Sequence, residues 1–168
     1  MIYLIIVLAV AARFIPHMPN FAPVSALAIF SAATLGWKKS VGITLAARFV
    51  SDLYLGFFAW PLMVAVYASH LVGVLFGLWI KKADNHRWLK IIGSSLGASI
   101  IFFAVTNFAF FYGTYTHDLV GIVQAYGNGL PFLRGTMLGD LGYTVALFGA
   151  YQAAQILARA RPATALTV

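Results

Sequence analysis

Apolar positions in this chain fall in long uninterrupted blocks, with polar and charged positions gathered between them. Six blocks stand out, roughly residues 1–15, 22–37, 41–58, 61–80, 89–112 and 132–158. They do not alternate, which argues against strands. A membrane-crossing helix needs about 20 mostly apolar residues. The pattern therefore predicts an all-α integral membrane protein, a single domain of six transmembrane helices over 1–168. The first two blocks are short, which implies tilt, local thinning or burial against neighbours. Residues 1–12 have the length of a signal-peptide core, but no basic segment precedes them and Arg13 follows directly. They are read as a retained first span. Residues 16–23 hold Pro16, Pro19 and Pro23, so this stretch is not helical throughout. Irregular backbone at membrane depth must be buried in protein or line a wet cavity.

Composition sharpens this reading. Apolar residues make up 62% of the chain and charged residues 9%, against about a quarter charged in a soluble domain. The lipid bilayer is the solvent this implies. The net charge of +7 would suggest nucleic acid in a soluble protein. Here the basic residues cluster in short loops, so no nucleic-acid partner is expected. There is no cysteine, which excludes disulfides and thiolate metal sites.

Charge also predicts orientation. Lys38 and Lys39 lie between blocks two and three. Lys81, Lys82, Arg87 and Lys90 lie around the junction of blocks four and five, and Arg159 and Arg161 follow block six. An N-in, C-in arrangement puts all of these on one side, as the positive-inside rule requires. The expected location is the bacterial cytoplasmic membrane. Of the outward loops, residues 113–131 form the longest, and 118–126 are expected to make a short helix capped by Asp118.

Ionisable groups inside a membrane are costly and usually face a cavity or one another. Arg48 and Asp52 are four apart, on one helix face. Arg134 is expected to open the sixth span, with Asp140 deeper. Two readings stand: ion pairs that lock spans three and six, or contacts from Asp52 and Arg134 to a polar solute arriving from outside. His70 lies near the middle of the fourth span beside Tyr67. It is read as a hydrogen-bonded packing residue, a proton relay or a metal ligand. His17 and Asn20 sit in the rigid first outer loop, and Asn107 and Tyr112 close the aromatic-rich outer half of span five. Trp37, Trp60, Trp79 and Trp88 fall at expected interfaces. Ala28 and Ala32, like Ala22 and Ala26 and Gly93 and Gly97, are spaced for close helix contact. No HExxH, nucleophile-elbow or phosphate-loop motif is present, and no catalytic residue or resident cofactor is expected.

Three segments carry a family resemblance: residues 13–28 (RFIPHMPNFAPVSALA), 51–56 (SDLYLG) and 131–141 (PFLRGTMLGDL). They resemble blocks of the S-components, the substrate-binding membrane subunits of energy-coupling-factor vitamin transporters. The chain is most similar to the solitary cobalamin-uptake type of Gram-negative bacteria. The resemblance implies an outward cavity roofed by the loops after spans one and five, with Asp52 and Arg134 as binding residues. It implies cobalamin or a related corrinoid as transported ligand. The energy source would be an ATPase partner module or none. Cobalamin-type members can carry a cysteine on span four as cobalt ligand; here His70 is the candidate axial ligand. The alternatives are a transporter for thiamine, riboflavin or another small vitamin, an intramembrane enzyme using Asp52, His70 or Asp140, and a structural membrane subunit.

Overall fold

A computed structural model describes residues 2–12, 14, 15, 18–82 and 86–160. Among them all regular structure is helical. The elements are α1 (Ile2–Ala12), α2 (Val24–Leu35), α3 (Trp37–Leu55), α4 (Trp60–Lys81), α5 (Arg87–Thr106), a 3-10 turn (Ala109–Phe111) and α6 (Leu119–Ala160). Two of them, α4 and α5, are long and apolar enough to cross a membrane, while α1 and α2 are apolar but shorter. His17 lies outside the described residues, as do Arg13, Asp84 and Arg161.

Helix α2 is the hub. Every residue from Val24 to Ala33 is buried, which is what a helix apolar all round requires. It packs most extensively on α4, then on α3 and α6. The α4 contact is close because Gly73 and Gly77 face it: a Cβ on Gly73 would lie 2.9 Å from the Ala28 Cβ, and one on Gly77 2.6 Å from the Ala32 Cβ. The Ala28/Ala32 spacing thus serves packing within the chain. On its other side, Phe30 meets Phe148 and Tyr151 edge to face, with centroids 5.3 and 5.7 Å away. Gly36, at φ +86°, turns the chain from α2 directly into α3. Ser40 closes that corner, bonding Ser31 at 2.8 Å and the Ala28 carbonyl at 2.9 Å.

The sixth helix departs from expectation. The stretch 113–131 is not a loop holding a separate short helix; α6 begins at Leu119 and runs unbroken through Pro131. Asp118 caps it as expected, its Oδ1 accepting the Gly121 N–H at 2.8 Å and the Thr116 hydroxyl at 2.7 Å. These bonds hold its carboxyl below the usual carboxylate range. Pro131 donates no bond back along the helix. Packing on α5 offsets that loss: Tyr126 donates to the Ala104 carbonyl and stacks near Phe103. At 42 residues, α6 is about 63 Å long, roughly twice the hydrocarbon thickness of a bilayer.

Polar groups are buried alongside the apolar core, and large apolar side chains lie on the surface. Among the described residues fifteen polar or charged side chains are buried, including Asp52, His70 and Asp140, while Leu53, Leu75, Leu89, Leu119 and Val123 are each more than half exposed. The basic turns share one end of the bundle. Lys81 reaches the Gly36 corner, Lys90 lies over Trp79 and Arg87 over Phe148.

Candidate functional site

At the end opposite the basic turns, the helices enclose two adjoining cavities. The outer one, of about 470 Å³, lies between the outer parts of α3, α4, α5 and α6. The inner one, of about 240 Å³, reaches toward α2. Asn20, Arg48 and Phe102 line both.

Arg48 is the cation of the site. Its Nε donates to Asp52 Oδ2 at 2.8 Å, and the Tyr67 hydroxyl donates to the same oxygen at 2.9 Å. Its guanidinium lies 5.6 Å from the Phe58 ring centre and 5.8 Å from that of Tyr67. One of five N–H donors is thereby fixed, and the fork is oriented for a planar acceptor. Asp52 and Tyr67 line neither cavity; both instead lie against the Arg48 guanidinium.

The wall of the outer cavity is aromatic and amide-rich. Asn107 ends α5, its Nδ2 donating to the Phe103 carbonyl at 3.0 Å, and its side chain lies against Gly129 of α6. Tyr112 donates to the Thr106 carbonyl at 2.7 Å. Burial raises its phenol above the ordinary value, and neighbouring Tyr115 adds to this, so Tyr112 stays a neutral donor at physiological pH. Asn128 donates to the Tyr115 hydroxyl at 3.2 Å.

The floor of the inner cavity is polar. His70 Nδ1 is hydrogen-bonded to the Ser25 hydroxyl at 3.1 Å, and its ring stacks on Phe102 with centroids 4.9 Å apart. The Asp140 carboxyl, which lines the same cavity, accepts from Ser99 at 2.8 Å. One bond thus joins α4 to α2 and another joins α5 to α6 at the base of the site.

Two expectations about charge are not met. Asp140 does not pair with Arg134, so only the α3 pair forms among the described residues. Arg134 is exposed and lines neither cavity. The reason is helix phase: at 100° per residue, Gly135, Thr136, Gly139 and Asp140 share the buried face of α6, and Arg134 turns away from it. Of the other candidates, Asn20, His70, Asn107, Tyr112 and Asp140 come together around the cavities. Asn20 does so with φ +61°, a conformation Asn tolerates better than most residues.

Sequence reasoning missed Ser25, Ser99 and Asn128 as parts of the site. Small hydroxyls in apolar runs carry little signal until the facing helix is known. It also missed why the first and third family-like segments occur together. A Cβ on Gly139 would sit 2.9 Å from the Phe21 Cα, so α6 lets the 18–23 loop lie directly on its backbone. The two segments form one contact that closes the side of the cavity.

Comparisons with curated proteins and with solved structures find no match. A family model covers residues 1–163, and the chain belongs to that family, the family of unknown function DUF6580.

Proposed function

We propose that this protein is a vitamin-binding membrane transport protein, a six-span bundle of the S-component type with both termini cytoplasmic, which takes its solute from the outer side. The large apolar side chains on the surface, the buried polar groups and the gathering of basic residues at one end support the membrane reading. The observation that carries the solute reading is the pair of adjoining cavities at the opposite end. Their shared Arg48, amides and aromatic rings match the mixed lining of small-molecule sites.

Cavity size selects among the vitamins. A volume of about 470 Å³ falls in the lower part of the range for drug-sized ligands, roughly 300–1,000 Å³. A corrinoid needs a much larger space. The His70 ring is already stacked on Phe102 at the base of the smaller cavity, so cobalt ligation by His70 has no place in this reading. Arg48, where the two cavities adjoin, disfavours a cation such as thiamine. A neutral, flat heteroaromatic vitamin of riboflavin size fits best, its ring among the aromatic side chains and its carbonyls toward Arg48 and Asn107. No phosphate loop occurs in the chain, so any ATP drive comes from a partner module. Directed release requires different affinities in the outward and inward states.

The test is calorimetry of the detergent-purified protein against riboflavin, thiamine, cobalamin and cobinamide. Riboflavin is expected to bind, and Arg48→Gln to weaken it by about tenfold, roughly 1.4 kcal/mol. Tight corrinoid binding would overturn the size argument. No binding across the panel would overturn the transport reading.

A further inference from the structure

A third cavity, of about 300 Å³, lies at the basic end between the start of α5 and the end of α6. Its rim carries two guanidiniums and two carboxamides, Arg87 and Arg159 with Gln152 and Gln155, and among the described residues no carboxylate lines it. Its floor is apolar, formed by Ile91 and Phe148, which are 1% and 3% exposed. The Arg87 guanidinium lies 5.9 Å above the Phe148 ring, directly over that floor. Exposed apolar side chains adjoin the cleft: Ile92 follows Ile91 on α5, and Ile156 of α6 itself lines it. Trp88 stands at the edge, where an indole marks the boundary between lipid and water.

We infer that this cleft binds the phosphate headgroup of an acidic phospholipid. Guanidinium forks recognise phosphate oxygens in pairs, and the carboxamides add neutral donors. The volume takes a glycerophosphate headgroup, and the acyl chains run along the exposed aliphatic side chains of α5 and α6. That flanking apolar surface is what favours a lipid over free phosphate, which would gain nothing from it. Basic pockets between helices on the cytoplasmic side are suited to anionic headgroups. The inference rests on the membrane reading above but not on the identity of the solute, which binds at the other end.

The experiment is native mass spectrometry of the full chain in an uncharged detergent, titrated with phosphatidylglycerol or phosphatidylcholine. Phosphatidylglycerol is expected to bind at least about tenfold more tightly. The variant R87Q/R159Q is expected to lose that preference, and K38Q/K39Q, with the same loss of charge at the same end, to keep it. Equal binding of the two lipids, or an equal loss in K38Q/K39Q, would overturn the site. Displacement of the lipid by inorganic phosphate at comparable concentration would also overturn it, by making free phosphate the ligand. Arg159→Gln alone, on an exposed last turn, repeats the test if the double variant does not fold. A chain that stays with membranes through alkaline washing yet shows no lipid preference would sink this inference and spare the membrane reading.

Discussion

Arg48 is held in place from several sides at once. Asp52 is 2% exposed and holds the guanidinium from one side, while Phe58 and Tyr67 flank it. Removing the carboxylate leaves a largely buried cation uncompensated, which costs about 3 kcal/mol or more. Asp52→Asn is therefore expected to lower unfolding stability by about that amount and to weaken solute binding, although Asp52 lines no cavity. Tyr67→Phe removes one hydrogen bond to a charged group, a loss of about 2 kcal/mol. Chemical unfolding in detergent checks both, and a smaller loss for Asp52→Asn than for Tyr67→Phe would refute the anchoring role. The Arg48–Asp52 pair was legible from sequence because both residues sit on one helix four apart. Arg134 was expected at the mouth of the sixth span, but α6 begins thirteen residues before the predicted 132, so Arg134 lies inside the helix on a face that its neighbours leave exposed.

At the level of elements, the contact between α2 and α4 decides whether the floor of the site exists. Ser25 and His70 come from these two helices and meet only because Gly73 and Gly77 admit the alanines of α2. Gly77→Leu is expected to force the pair apart, costing about 1–3 kcal/mol of overpacking and reducing solute affinity in the same calorimetric assay. Unchanged affinity would separate the floor from the function. The start of α6 gives a pH prediction. Its Asp118 carboxyl titrates below the ordinary range when folded, so the cap is fully present above the unfolded carboxylate range and is lost as pH falls toward the folded value. The hydrogen-exchange protection of the Gly121 amide should fall in acid, whereas in Asp118→Asn, whose cap does not titrate, it should stay level. Hydrophobic blocks predicted the number and order of the helices well. They failed for residues 127–131, where Gly127, Gly129 and Pro131 read as a loop after the short helix expected over 118–126; side-chain packing on α5, invisible in a local pattern, keeps the segment helical.

For the whole molecule, the topology makes a direct prediction. The chain has no cysteine, so single introduced cysteines report without background. Lys39→Cys is expected to react with a membrane-impermeant maleimide only after the cytoplasmic side is opened, and Tyr115→Cys in intact cells. The reverse pattern would invert the bundle, and equal access to both would argue against a membrane-crossing fold. The gathering of basic residues at one end was readable from sequence because it depends only on counting turns. The two cavities were not, because they depend on which faces of α3, α4, α5 and α6 converge.

The burial of α2 has a consequence for how the protein is made. Its twelve residues span about 18 Å, well short of the bilayer core, and no part of Val24–Ala33 reaches the exterior. Its partners α4 and α6 leave the ribosome later. While they are still being synthesised, α2 has no finished surroundings and is too short to settle in lipid as an independent span. Its final position is therefore reached only after the C-terminal half has arrived, so in nascent chains stopped before residue 119 a Ser25→Cys thiol should be open to labelling, and in full-length chains it should be closed.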